Sequence, residues 1–397
     1  MFSASLRISE IVESETLAMT KKARELRESG KDVISLSIGE PDFNTPLHIC
    51  DAAYEAIKNG ATHYPPVLGL LAFRESICRK LQRENGLDYK PDEIIVSNGA
   101  KHSIINAVLS IVNPGDEVIL PAPFWVSYPT MVAYAGGVSV PLQTSVDNNY
   151  KPTAAELRAA VTPKTRLLIF SSPCNPSGSV FSTAELEEIA GVLREFPDIF
   201  VISDEIYEKI NYSGPHVSLA QLPGMKDRVA VVNGLSKGYA MTGWRIGYLA
   251  GPRWLVAACE KMQGLFTSGA SSVGMMAGIA ALDGPPDSVE SMRSEFLKRR
   301  NRTAELVSAI PGMRCNVPDG AFYVFPDVHA FFGKSYAGTT IHTAEDLCYF
   351  LLEHAGVAAV GGTAFGAPDC IRISYATDLN TIEKALNRMA EALLLLS

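Results

Sequence analysis

The chain predicts an α/β fold, with a largely parallel sheet covered by helices on both faces and a second domain after it. Three observations carry that reading. Short apolar, β-rich runs recur at Ile94-Ile95-Val96, Glu117-Val118-Ile119-Leu120, Val138-Ser139-Val140, Leu167-Leu168-Ile169-Phe170, Phe200-Val201-Ile202 and Val229-Ala230-Val231-Val232. Helical patterns alternate with them, the signature of βαβ units. Turn chemistry separates the two, as in Asn113-Pro114-Gly115-Asp116 and Pro173-Cys174-Asn175-Pro176-Ser177-Gly178. Beyond Gly284-Pro285-Pro286 the pattern changes to one long charged helix, Ser288 to Ala309, followed by shorter elements that read as the second domain. Leu393 to Leu396 reads as the buried face of a last helix. Gly361-Gly362-Thr363-Ala364-Phe365-Gly366 matches neither of the glycine-rich phosphate-loop spacings and reads as a plain loop.

Composition narrows the function classes. The 397 residues exceed one ordinary core, and 47% hydrophobic with 20% charged residues is the balance of a soluble globular protein. A formal charge of -8, from 35 Lys+Arg against 43 Asp+Glu, with no basic block, disfavours a nucleic-acid partner. The seven cysteines are scattered, with no CxxC pair and no zinc spacing, which fits reduced thiols and a cytoplasmic location. The seven histidines form no HExxH, so no metal site is legible. Met1 to Ser14 lacks a basic-then-apolar leader pattern, and no run approaches the roughly 18 apolar residues of a membrane helix.

The chemistry-bearing residues gather at predicted strand ends. Ser236-Lys237-Gly238-Tyr239-Ala240-Met241-Thr242-Gly243-Trp244-Arg245 follows the run Val229–Val232, so Lys237 leaves the sheet where α/β folds place ligands. Such a lysine is either solvated and protonated or, when desolvated near other cations, an amine nucleophile toward an aldehyde. Arg245 is a candidate anion partner. Asn98-Gly99-Ala100-Lys101 lies between a strand and the helical stretch His102 to Ile111, where backbone N–H groups can hold a phosphate or merely turn the chain. Trp125 follows another strand and can pack in the core or stack on a flat ring. Asp204 and Tyr207, in Ser203-Asp204-Glu205-Ile206-Tyr207-Glu208, place a carboxylate and a phenol at a strand end. Asp204 suits either a helix cap or a partner for a protonated ring nitrogen.

Taken together, these stretches resemble the fold-type I, class-I aminotransferases dependent on pyridoxal 5'-phosphate (PLP), within them the aspartate aminotransferase subgroup common in bacteria and plastids. Ser-Pro-Cys-Asn-Pro-Ser-Gly at 172–178, Ser-Asp-Glu-Ile-Tyr at 203–207, the run 236–248 and Arg-Ile-Ser-Tyr-Ala at 372–376 carry the resemblance, in order and at matching spacing. Gly39-Glu40-Pro41-Asp42-Phe43 and Tyr64-Pro65-Pro66 extend it over nearly the whole chain. Ser177 stands where the family often has Thr.

The resemblance implies a large PLP-binding domain at residues 46–285 with a mostly parallel seven-stranded sheet. A smaller α+β domain would form from residues 1–45, which include an N-terminal arm, together with 286–397. Lys237 would hold the cofactor covalently and shuttle the substrate Cα proton, with Asp204 on the pyridine nitrogen. Asn175 and Tyr207 would hydrogen-bond the ring's phenolic oxygen, and Trp125 would stack on the ring. Gly99, Ala100, Lys101, Ser236 and Arg245 would hold the phosphate, with Tyr64 reaching the phosphate of the other subunit of a homodimer. Arg372 would clamp the substrate α-carboxylate beside Gly39, where a structural salt bridge is the alternative that Arg372 alone would favour. Trp125, Asn175, Lys101 and Thr16 would complete the substrate site. Lys101 is assigned to a distal carboxylate, and Thr16 to relatives that also use prephenate. Leu265 and Phe266 would make the pocket more apolar than in strict aspartate enzymes.

The leading expectation is a ping-pong aminotransferase moving an amino group between aspartate or glutamate and 2-oxoglutarate, oxaloacetate or prephenate. A broad-specificity aromatic or alanine-type aminotransferase is the alternative. A PLP-binding regulatory module is a third reading, disfavoured because no basic helix-turn-helix segment precedes the fold.

Overall fold

The computed structural model describes Ser5 and residues 15–397, with side chains in the first helix from Ala18 onward. At its centre is a seven-stranded sheet whose strands run, edge to edge, Ile94–Ser97, Gly247–Ala250, Val229–Gly234, Phe200–Asp204, Thr165–Ser171, Glu117–Pro121 and Val138–Leu142. All six predicted runs are strands. The seventh, Gly247–Ala250, was not anticipated from the local sequence, and it alone runs antiparallel to both of its neighbours.

Burial explains why the runs are continuously apolar. Ile94, Val96, Ile119, Leu168, Phe170, Val201, Val229 and Val231 face one hydrophobic cluster. Ile95, Val118, Leu120, Leu167, Ile169, Ile202, Ala230 and Val232 face another on the opposite side. Successive side chains alternate between faces with period two, so a sheet covered on both sides favours apolar residues at most positions, with Ser97, Ser171, Ser203 and Asn233 among the buried exceptions near the strand ends. The helices Ala100–Ile111 and Arg253–Phe266 pack together on one side, and Leu47–Lys58, Leu71–Asn85 and Ser272–Asp283 on the other.

A separate cluster joins the first helix, Glu15–Glu28, to the later chain. It unites Met19, Ala23 and Leu36 with Phe296, Tyr323, Leu347, Ile371, Ile373 and Met389. Its framework is the charged helix, observed at Asp287–Ser308, the helices Ala344–His354 and Leu379–Leu393, and a three-stranded antiparallel sheet of Val360–Gly361, Ile371–Ser374 and Tyr323–Val324. The last helix ends at Leu393, so the expectation for the final leucines is corrected. Leu393 and Leu396 are buried, but Leu394 and Leu395 point to solvent as the chain leaves helical spacing.

Candidate active site

The parallel strands all end at one edge of the large sheet, and the loops leaving that edge carry the predicted residues. The antiparallel strand matters here. Because Gly247–Ala250 runs the other way, it begins at the edge where its neighbours end, so Arg245 arrives beside Gly99 and Lys237. Two glycines permit the approach. A Cβ on Gly99, whose φ is +84°, would collide with the Arg245 guanidinium, and one on Gly247 with the Ala100 backbone nitrogen.

These loops enclose a cavity of about 350 Å³. Gly39, Ala100, Lys101, Trp125, Asn175, Asp204, Tyr207, Ser236, Lys237, Arg245 and Arg372 all line it, so the structure brings together most of the predicted set. Gly99 caps the adjoining helix. Tyr64 does not reach the cavity of its own chain and is 95% exposed. The side chain of Thr16 lies outside the described residues, although its backbone belongs to the first helix. Leu265 and Phe266 end the helix Arg253–Phe266 as exposed residues and do not line this chain's cavity.

Lys237 directs its Nζ to the Gly39 carbonyl at 2.5 Å. Burial pushes its ammonium down to about 8, with Arg372 and Arg245 adding in the same direction and Glu40 and Asp204 opposing. Asp204, 5% exposed, accepts from the Tyr128 hydroxyl at 2.7 Å and from the Ile206 amide at 3.3 Å. Burial nevertheless raises its carboxyl to about 6, because those hydrogen bonds only partly offset lost solvation. The fully buried carboxylate is therefore a strong partner for a cationic ring nitrogen.

Arg372 sits on the strand Ile371–Ser374, 3% exposed. It donates to Asn175 Oδ1 at 3.0 Å and to the Ser37 carbonyl at 2.8 Å, and stacks 4.6 Å from the Tyr323 ring. Its Nε has no hydrogen-bond partner, and among the described residues no carboxylate pairs with it. The salt-bridge alternative therefore finds no support. A buried guanidinium facing a cavity without an anion is the arrangement that a carboxylate ligand relieves.

The phosphate expectation can be tested on the helix Ala100–Ile111. It starts two residues earlier than predicted, directly at Gly99, and no side chain caps it. Its first N–H groups are thus available to an anion, with Arg245 and Lys101 beside them. Lys101 lies 4.8 Å from the Trp125 ring centroid, and burial and Arg245 together lower its ammonium. An anion site, a buried carboxylate, a deprotonation-prone amine and an aromatic wall fit PLP at its phosphate, ring nitrogen, aldehyde and ring face.

Tyr128, Tyr323 and Ser37 escaped the sequence reading. Tyr128, three residues beyond Trp125, donates its hydroxyl to Asp204. The Tyr323 hydroxyl lies 2.9 Å from that of Tyr207, a partnership between residues 116 positions apart that no local pattern signals.

Comparison with known proteins shows the family. Residues 31–389 match the family described as aminotransferase class I and II. A bifunctional aspartate aminotransferase and glutamate/aspartate-prephenate aminotransferase of Petunia hybrida is 47% identical over 98% of this chain and 83% of its own length. An aspartate/prephenate aminotransferase of Nitrosomonas europaea is 43% identical over 98% and 99%. The crystal structure of an aspartate aminotransferase from Rhizobium meliloti superposes over 100% of both chains with a TM-score of 0.97 at 42% identity. The architecture is that of fold-type I. The chain belongs to the class I and II aminotransferases and is a PLP-dependent enzyme.

Proposed function

We propose that this chain transfers the amino group of an acidic L-amino acid, aspartate or glutamate, to a 2-oxo acid such as 2-oxoglutarate, oxaloacetate or prephenate. The observation that carries the reading is that two separate cations, Arg372 and Lys101, line one cavity with Lys237. A dicarboxylic substrate supplies an anion for each. The names of the Petunia and Nitrosomonas relatives support the same substrate class.

PLP, when bound, supplies an aldehyde and a ring that accepts electrons from the substrate Cα. The protein's share is positional and protonic. Arg372 binds the α-carboxylate through paired N–H groups and fixes the Cα near Lys237. The Lys237 amine, its ammonium lowered toward neutral pH by burial, is placed to take the substrate Cα proton and, with PLP bound, would be the group that returns it. Asp204 would hold PLP by its ring nitrogen through the buried carboxylate, and Asn175 and Tyr207 would hold its phenolic oxygen. Ser236, Arg245 and the helix-start amides of Ala100 and Lys101 would hold the phosphate beside Gly99, whose own amide is taken by the Ser97 carbonyl at 2.7 Å. Trp125 packs edge-on against Tyr128, 5.5 Å between centroids, and walls the ring.

The wider organisation belongs to the same proposal. Residues 46–285 are assigned to the PLP-binding domain and 1–45 with 286–397 to the smaller one; over the described residues the hydrophobic clusters largely follow that division, with Ile206, Tyr207 and Ile210 joining the cluster of the smaller part. Exposed Leu47, Tyr54, Ile57, Tyr64, Leu265 and Phe266 support a homodimer in which Tyr64 completes the partner's phosphate site. A cytoplasmic enzyme fits the seven free cysteines, and among the described residues no helix is long and apolar enough to cross a membrane.

The test is a donor panel on Lys101→Ala. kcat/KM for aspartate and glutamate falls by about one to two powers of ten, the worth of one charge-assisted contact, while alanine and phenylalanine change little. Equal losses for acidic and neutral donors would assign Lys101 to the cofactor and remove the main support for acidic substrates.

A further inference from the structure

The turn after the strand Phe200–Asp204 has two faces. Asp204 and Tyr207 line the cavity, whereas Glu205 and Glu208, at the same spacing one residue on, do not. Their side chains are 1% and 7% exposed. Two buried carboxylates beside an active site need partners, and the structure supplies them.

Glu205 Oε1 accepts from Ser203 Oγ at 3.0 Å and from Ser218 Oγ at 2.6 Å; Oε2 lies 3.0 Å from His216 Nε2, an ion-pair distance at which neither atom is aligned for a hydrogen bond. Ser218 and His216 close the loop that Glu205 opens, so these contacts staple the loop at its base. Glu208 is paired with the fully buried ammonium of Lys80, from the helix Leu71–Asn85, and accepts from Asn85 Nδ2 at 3.3 Å. Lys80 also donates to Asn85 Oδ1 at 2.8 Å and lies 3.7 Å from Glu84, which Lys209 pairs at 2.6 Å. The cluster thus holds the carboxylates of Glu84, Glu205 and Glu208 against the ammoniums of Lys80 and Lys209. The Arg83 guanidinium, 2.7 Å from Glu84, balances the third carboxylate, so a protonated His216 adds one positive charge beyond neutrality.

Tyr89, Tyr239 and Tyr248 are the other titratable groups facing these carboxylates, all kept neutral chiefly by burial. Asp204 lies on the far side of Glu205 and feels its charge. Burial opposes a charge on His216, but Glu205 and Glu208 outweigh it and raise the imidazole above its ordinary value. Burial opposes ionisation of Glu208 too, and Lys80, Lys209 and His216 overcome it, holding the carboxyl down to about 2. Glu205, Glu208 and His216 also offer metal-ligand atoms within 4.8 Å of one another, but the Lys80 ammonium already fills the cation's place beside Glu208.

We propose that Glu205 and His216, together with the Lys80–Glu208 pair, are positioning residues: a buried ion cluster behind the active site that clamps the 204–208 turn and so fixes the aim of Asp204 and Tyr207. The proposal rests on the reading in which those two residues face the cofactor. Because the folded imidazole binds its proton more tightly than the unfolded one, the clamp's contribution is complete below the ordinary histidine value and fades as pH rises through the folded value.

The test compares loaded enzyme carrying His216→Gln, Glu205→Gln, both together, and Asp204→Ala as reference. Cofactor affinity is read from the visible absorption band, alongside kcat, donor KM and thermal stability. Each single change strands a buried partner and weakens cofactor binding about tenfold, whereas the double change removes both charges and recovers to within about threefold of the parent. kcat falls while donor KM stays within about twofold, because Arg372 lies on a different sheet. The double variant keeps the test informative if a single one fails to fold. Losses that simply add in the double variant, or a stability loss with unchanged cofactor affinity, would overturn the clamp. An Asp204→Ala protein with intact cofactor affinity would instead overturn the site reading on which the clamp depends.

Discussion

Lys237 leaves the end of a large-sheet strand and Arg372 sits on a strand of the small antiparallel sheet, yet both bring a cation into the same cavity. Desolvation lowers both groups, with unlike results. The lysine ammonium moves to about 8 and becomes available as a neutral amine near physiological pH. The guanidinium starts so high that burial leaves it charged, held by Asn175, Ser37 and the Tyr323 ring. One loss of solvent therefore prepares a base at one end and an anion receptor at the other, and the difference lies in residue chemistry.

Removing the amine breaks the comparison most severely. Lys237→Ala should lower kcat by about four to six powers of ten, as deletion of a covalent catalyst does in other enzymes, while donor binding through Arg372 survives. Arg372→Lys keeps the charge but not the fork and should cost about two to four powers of ten in kcat/KM. That loss should appear for every amino donor, since all share the α-carboxylate. A loss confined to acidic donors would place a side-chain carboxylate on Arg372.

Asp204→Asn sharpens the comparison with a buried anion. The folded carboxyl near 6 lies above its unfolded value, so ionised Asp204 destabilises the unloaded protein at neutral pH, and that penalty is absent below about pH 4. The asparagine variant should be more stable without cofactor at pH 8 by on the order of 2 kcal/mol, no more stable at pH 4, and inactive. Denaturant titrations at the two pH values check this. The smallest effect is kinetic: the rate of cofactor loading should rise about tenfold from pH 7 to 9 and level off, because a group near 8 completes its titration there. A rate still climbing steeply at pH 9 would indicate an ordinary solvated lysine.

Much of this was legible along the chain, and the exceptions have physical causes. The interior runs rich in Val, Ile, Leu and Phe announced their strands because two-sided burial favours apolar residues, whereas the exposed edge run Val138-Ser139-Val140 relied on its β-branched valines. Gly247-Tyr248-Leu249-Ala250 lacks β-branched residues and is a strand through its two neighbours, so only tertiary context reveals both the strand and the delivery of Arg245. Strand ends located Lys237, Asp204 and the Gly99 turn. The roles of Tyr323, Ser37 and His216 depend on contacts between distant or looped segments and carry no local signature. Tyr64 is exposed in one chain, consistent with a role that a second chain would complete.

Reduction of the PLP-loaded enzyme with borohydride, followed by peptide mapping, tests the central claim most directly. The account predicts that the cofactor becomes fixed to the peptide containing Lys237 and to no other lysine. Labelling at Lys101, or at any lysine outside the cavity, would contradict it.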